Sequence, residues 1–274
     1  MAERHGDMAT GKNDLTINTL NGESSNNIII GTDANRQIGE LTINNQKPNE
    51  EVIEWNEDEE ARIELGLVGE TWTKRSININ AFMTTIKKVW QPIHGLDISS
   101  LGENKYVFQF HHWRDKLRVV EGQPWHFDRH AILLRDISDA TKPSNMVLHE
   151  LPMWVRVYNL PFKGRLKREN VEALGKKIGR FIKADVFGSV GIDKSIRPRI
   201  NVDVRKPLTH KIKVKMRGGE EDFVEVKYEK PPLYCFYCGL MGHGIKDCPE
   251  CRDEEDPQVN YGGWLKASPW KRMR

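Results

Sequence analysis

Long apolar runs are missing from this chain of 274 residues. No stretch approaches the roughly 18 residues that a membrane span requires. The opening MAERHGDMATGKND has no apolar region of the kind a secretory leader carries. Cysteine is absent until Cys235, and the four that exist (Cys235, Cys238, Cys248 and Cys251) fall within seventeen residues. A disulfide scaffold would spread them as staples, whereas clustered thiols in a chain with no secretory features point to a metal. Enzyme signatures are missing too. There is no G-x-x-x-x-G-K-[ST] phosphate loop and no G-x-S-x-G elbow. His126 and His130 stand four apart in HFDRH, but no Glu follows the first of them. The expectation is a non-enzymatic, intracellular protein of nucleus or cytoplasm, with no membrane partner and no small-molecule substrate.

Charge is distributed unevenly. Residues 1–60 hold 4 Lys/Arg against 13 Asp/Glu, and residues 156–217 hold 18 against 5. A basic block of that size is the electrostatic footprint of a polyanion partner, or a solvated cationic face.

Residues 1–60 are acidic and rich in Asn, without sustained periodicity, and read as a disordered tail. From Ile63 a regular pattern begins. RIELGLVGETW reads as a strand. NINAFMTTIKKVWQP reads as a helix with Phe82, Ile86, Val89 and Trp90 on one face. LDISSL and NKYVFQFH read as strands, the second placing Tyr106, Phe108 and Phe110 on one side. WRDKLRVVEG reads as a helix burying Trp113, Leu117 and Val120, and AILLRDI as a closing strand. The fold class is therefore α+β. Residues 61–140 form a ferredoxin-like, RNA-recognition-motif-like β-α-β-β-α-β domain. Its three aromatics either meet the helices or form a stacking platform.

A second, basic α+β unit spans residues 150–230. A strand (LPMWVRVY) leads into the cationic loop FKGRLKRE, with Lys163, Arg165, Lys167 and Arg168, then a helix capped by Gly179 and four strands. In KIKVKM, Lys211, Lys213 and Lys215 alternate with apolar residues. That pattern fits a cationic face and equally an edge strand guarded against aggregation.

Residues 233–250 contain C-x2-C-x4-H-x4-C: Cys235, Cys238, His243 and Cys248. Zinc takes four tetrahedral thiolate or imidazole ligands, and four protein ligands leave no open position, so the site is structural. Gly239 and Gly242 supply the tight backbone the loop needs. CPEC offers Cys251 as an alternative ligand in place of His243, although the spacing between the two C-x2-C pairs is short for a zinc ribbon. Residues 251–274 read as a flexible tail.

CFYCGLMGHGIKDC resembles the CCHC zinc knuckle of retroviral and retrotransposon Gag-type proteins. VEGQPWHFDRHAILLRD, LPMWVRVYNLP, VEALGKKIG, VKYEKPPLYCFYCGLMGH and YGGWLKASP together resemble plant Gag-like proteins in which a domain of unknown function precedes such a knuckle. The resemblance implies a protein of retroelement origin that binds Zn2+ and single-stranded RNA or DNA. Longer versions carry an endonuclease and a reverse transcriptase; neither is expected here. By position, Phe236 and Met241 would form a platform for an unpaired base, with Lys246 on the rim. Leu240 and Met241 stand where viral knuckles usually carry cations, which suits a protein-interaction adaptor instead. Self-association is a further expectation.

Overall fold

The computed structural model describes residues 57–137, 141–160, 167–185, 195–215, 219, 221–251 and 258–268. The acidic tail, apart from its last few residues, lies outside them, as do Lys163 and Arg165. No helix among the described residues is long and apolar enough to cross a membrane.

Helix α1 (Glu57–Glu64) opens the described chain and is followed by β1 (Gly66–Thr71). The strand expected from Ile63 thus starts three residues later, because the charged EDEEARIE run continues as helix up to Glu64. Then come α2 (Ile79–Trp90), β2 (Leu96–Gly102), β3 (Lys105–Phe110), α3 (Trp113–Gly122), β4 (Trp125–Phe127) and β5 (His130–Asp136). These strands make one antiparallel sheet in the order β2-β3-β1-β5-β4. Leaving out α1 and the short hairpin strand β4, the element order is β-α-β-β-α-β.

The strict alternation of β3 decides which way the aromatics point. Tyr106, Phe108 and Phe110 are buried and meet the helices: Phe82 of α2 stacks on Tyr106 at 4.1 Å between centroids, and Trp90 lies 4.8 Å from Phe108. Asn78 caps α2, its side chain accepting the Ala81 N–H at 3.0 Å. The buried stripe of α2 is Phe82, Ile86 and Trp90; Val89 is 49% exposed. It lies one residue, about 100° of helix turn, from Trp90.

The face expected for α3 is also corrected. Trp113 and Leu117 are exposed, and the helix instead turns Asp115 and Val119 inward. Asp115 is tolerated there because its carboxylate accepts the His94 N–H at 2.8 Å and meets Arg118 at 3.3 Å. A buried, hydrogen-bonded acid breaks the apolar period from which the face was read.

The second sheet is built from β6 (Glu150–Tyr158), β7 (Arg180–Ala184), β8 (Ser195–Ile196), β9 (Pro198–Asp203), β10 (Lys211–Lys215) and β11 (Glu221–Tyr228). Its order is β10-β11-β6-β9-β7, with β8 beside β6. Helix α3's counterpart here, α4 (Arg168–Ile178), packs Val171 and Leu174 into the core. Gly179 ends α4 in an extended conformation. Glycine is required there by space: a Cβ would sit 2.3 Å from the Asn201 carbonyl oxygen.

Val68, Ala131 and Leu133, on the face of the first sheet away from its helices, share a core cluster with Leu151, Met153, Val155 and Val157 of β6. The β1 and β5 part of that face is therefore covered by the second unit. With the three aromatics turned to the helices and buried, the stacking-platform alternative for the first sheet is closed.

Candidate metal centre and its surroundings

The chain leaves β11 through Pro231-Pro232 and is held at once. The Leu233 N–H donates to the Arg129 carbonyl in the β4–β5 turn at 2.7 Å. Tyr234 and Met241 pair as an antiparallel bridge. Inside it, Cys235 N–H donates to Leu240 O at 2.8 Å and Gly239 N–H to Cys235 O at 2.9 Å. This turn needs left-handed backbone at Gly239 (φ 76°) and Gly242 (φ 97°).

The loop brings one ligand atom each from Cys235, Cys238, His243 and Cys248 to within 4.8 Å of one another. His243 Nε2 stands 3.4 Å from Cys238 Sγ. A tetrahedral zinc with bonds of about 2.0–2.3 Å has ligand-to-ligand edges of roughly 3.5–3.8 Å. The donor set and its spacing fit that ion with slight contraction. Cys251 is buried beside Cys235 and Cys248. Its thiol faces the Ile245 carbonyl at 3.5 Å, and it lies outside the group of four.

Electrostatics at the four ligands follow from burial and from backbone N–H groups aimed at sulfur. Burial pushes the Cys238 thiol up to about 12, against the Leu240 N–H. It raises Cys235 as well, against the N–H groups of Cys238 and Tyr237. At Cys248 burial acts the same way but is outweighed by the Glu250 N–H and the neighbouring thiols, so that thiol lies below its ordinary value. Burial, helped by Lys74, lowers His243 and keeps the imidazole neutral, the form that ligates metal. Cys235 and Cys238, held this reluctant to ionise, need a cation to become thiolates.

The loop is joined to the rest of the fold on several sides. Gly242 abuts Trp72, just past β1: a Cβ there would meet the Trp72 carbonyl oxygen at 3.0 Å. Arg75 reaches Asp247 at 2.6 Å. Leu208 N–H donates to Gly239 O at 3.0 Å. Residues 258–268, expected to be part of a flexible tail, pack back onto the loop. Tyr261 covers Gly239, Tyr234 hydroxyl donates to the Gly262 carbonyl at 2.8 Å, Ala267 N–H donates to Tyr228 O, and Leu265 is fully buried. The apolar side chains of YGGWLKASP, of which Leu265 is buried and Tyr261 half-buried, were the signal for this.

Met241 is corrected from a surface residue to a core one. It is 3% exposed and belongs to the same cluster as Leu151 and Met153, so it offers no face to a base. Phe236 is 36% exposed, and Lys246 is also at the surface. The structure adds an aromatic that sequence reasoning passed over. Trp264 is 50% exposed, set edge-on to His210 at 5.6 Å, and His210 is edge-on to Tyr261 at the same distance.

Among the described residues, about half of the cations of the basic block have structural partners. Arg156 and Arg197 share Glu229, and Arg197 also pairs with Asp185 and stacks 4.0 Å from the Trp154 ring. Arg199 is buried and donates to the Glu121 carbonyl at 3.0 Å, at the C-terminal end of α3. Arg180 pairs with Glu150, Arg205 with Asp203 and Lys176 with Glu172. On β10, Lys211 and Lys215 stand opposite Glu225 and Glu221 of β11, and Lys213 pairs with Glu221. The strand is a sheet edge, as one of the two readings had it, and its lysines stand opposite or pair with acids of β11. Lys167 and Arg168 are exposed at the start of α4.

Two family matches coincide with these features. Residues 59–145 match a domain of unknown function, DUF4283. Residues 202–250 match the zinc knuckle family. The chain thus carries a DUF4283 domain followed by a CCHC zinc knuckle. The second match begins within β9 and takes in β10 and β11, in keeping with a knuckle built onto the second sheet. No curated protein matches the chain.

Proposed function

We propose that the protein is a zinc-dependent binder of single-stranded RNA or DNA, without enzymatic activity, of retroelement Gag-like origin and acting inside the cell. The observation that carries this reading is the Cys235, Cys238, His243 and Cys248 group within a zinc-knuckle match, with the exposed ring of Phe236 immediately after the first ligand. Zinc knuckles commonly bind nucleic acids, and exposed aromatics stack unpaired bases without regard to sequence. Trp264, carried on the segment that covers the knuckle, supplies a second such ring. Element order and the β2-β3-β1-β5 strand order support the ferredoxin-like reading of the first unit. Fold-level similarity to RNA-recognition motifs adds nothing to the function, because the aromatics of β3 are buried against the helices.

A second reading, a protein-interaction adaptor, draws support from the matched cations of β10 and from the apolar character of the exposed Phe236, Trp264 and Val259. Fluorescence anisotropy of the full chain separates the two. Labelled single-stranded RNA, single-stranded DNA and duplex are titrated with zinc and with chelator, at two salt concentrations. Zinc-dependent, salt-sensitive binding to single strands that weakens in Phe236→Ala and Trp264→Ala is the expected result. No binding at low salt would overturn the reading and favour the adaptor.

A further inference from the structure

A cavity of about 510 Å³ opens between the loop that follows β1, the start of α2 and the β4–β5 hairpin. It lies next to the knuckle, because Arg75 on its wall is the residue that pairs with Asp247. The β1–α2 loop is fixed from below: Asn104 donates its side-chain amide to the carbonyls of Thr73 and Arg75 at 3.1 and 2.9 Å. The cavity is thus a formed feature of the fold.

Its lining has an unusual polar balance. His130 is 4% exposed, and its Nδ1 has no protein partner. Nδ1 is thus a buried ring nitrogen open to a hydrogen-bonding ligand. His126, on the same wall, has an Nε2 likewise without a protein partner. A buried polar atom without a partner costs stability unless a ligand satisfies it. Asp128 adds a carboxylate acceptor, while Thr73, Ser76 and Thr85 bring hydroxyls. Phe127 and Ile77 give apolar wall. Asn78 marks the N-terminus of α2, a twelve-residue helix whose first turn carries no acid, so its dipole favours an anion there.

We propose that this cavity receives one nucleotide of a bound single strand. The base edge gives a hydrogen to His130 Nδ1, and the phosphate lies toward Arg75 and the N-terminus of α2. The inference rests on the nucleic-acid reading above and deepens it by adding a base-sized site beside the knuckle. Donor-bearing planar rings with an attached phosphate match a wall that combines buried ring nitrogens, apolar surface and, at the rim, Arg75, which the phosphate would share with Asp247. Inorganic phosphate alone leaves the ring nitrogens unsatisfied, and a nucleoside alone leaves the rim unused.

The test uses the full chain loaded with zinc. Imidazole 15N spectra are recorded during titration with AMP, CMP, GMP and UMP, with adenosine, and with inorganic phosphate. A labelled 12-nucleotide single strand is titrated in parallel. Thr85→Trp fills the cavity from an exposed position on α2, and Ser76→Glu repels a phosphate without touching the core. The expected result is a shift at His130 with at least one monophosphate, larger than with phosphate or adenosine, and lost in Thr85→Trp. Strand affinity should drop by about tenfold or more in both variants. Equal strand affinity in wild type and both variants would overturn the proposal while leaving nucleic-acid binding intact. A phosphate response as large as that of the monophosphates would reduce the site to a simple anion pocket and overturn it too. Absence of any strand binding would remove the nucleic-acid reading itself.

Discussion

Removing zinc should destabilise the whole described body, because the knuckle shares its core. Met241 and Tyr234 sit in one cluster with Leu151, Met153 and Val226. Leu233, Gly239 and Gly242 are tied to Arg129, Leu208 and Trp72. If the loop opens, Met241 leaves the core, and burial of such a side chain is worth about 1.5–3 kcal/mol. The linkage to metal is larger. Knuckle-type sites bind zinc with apparent energies of about 10–16 kcal/mol, and a ligand at a thousand times its Kd stabilises the folded state by about 4 kcal/mol. In a domain of this size each kcal/mol moves Tm by about 2–4 °C. Chelation should therefore lower the main unfolding transition by roughly 8–16 °C. Differential scanning calorimetry of the full chain, zinc-loaded and with EDTA, reads this directly. Cobalt substitution reports the thiolate centre by its absorption. If EDTA abolishes the cobalt-reported site while the main transition moves by less than about 2 °C, the knuckle is an independent appendage and the reasoning fails.

Three further outcomes follow from single side chains. Cys251→Ser should keep one zinc per chain, whereas Cys248→Ser should lose it, as read by metal analysis after dialysis; equal losses would place Cys251 among the ligands. His126 is held neutral by burial, its pKa lowered from 6.5 to about 4. The unfolded chain takes up that proton first, so stability present above pH 6.5 should fall by up to about 3 kcal/mol as pH drops toward 4. In urea titrations His126→Asn should flatten this decline relative to wild type. Arg199→Met removes the donor to Glu121 O and should cost about 1–3 kcal/mol, while Arg205→Met, at an exposed pair with Asp203, should cost less than about 1 kcal/mol. Comparable urea midpoints for the two would contradict the structural role assigned to Arg199.

Short-range chemistry was readable in the chain. The C-x2-C-x4-H-x4-C spacing specified the metal group, because a loop of that length with left-handed glycines has few other ways to turn. The alternation in NKYVFQF specified which side of β3 carries aromatics, since side chains alternate strictly along a strand. Where the reading failed, a polar residue had been taken for surface or an apolar one for a face. Asp115 replaced Trp113 in the core because His94 and Arg118 satisfy its carboxylate, and those partners lie on other segments or depend on their placement.

What the sequence determined by itself was the α+β element order of the first unit and the Cys3His group that fits a metal ion. Each rests on spacing between near neighbours, which a local pattern encodes. Only the tertiary structure decided that Met241 is core, that 258–268 covers the knuckle, that most cations of residues 156–217 with a described partner meet acids from other elements, and that a cavity forms beside Arg75. Those outcomes depend on which distant surfaces are brought together. Burial and charge pairing are properties of the assembled neighbours, so no stretch of sequence carries them alone.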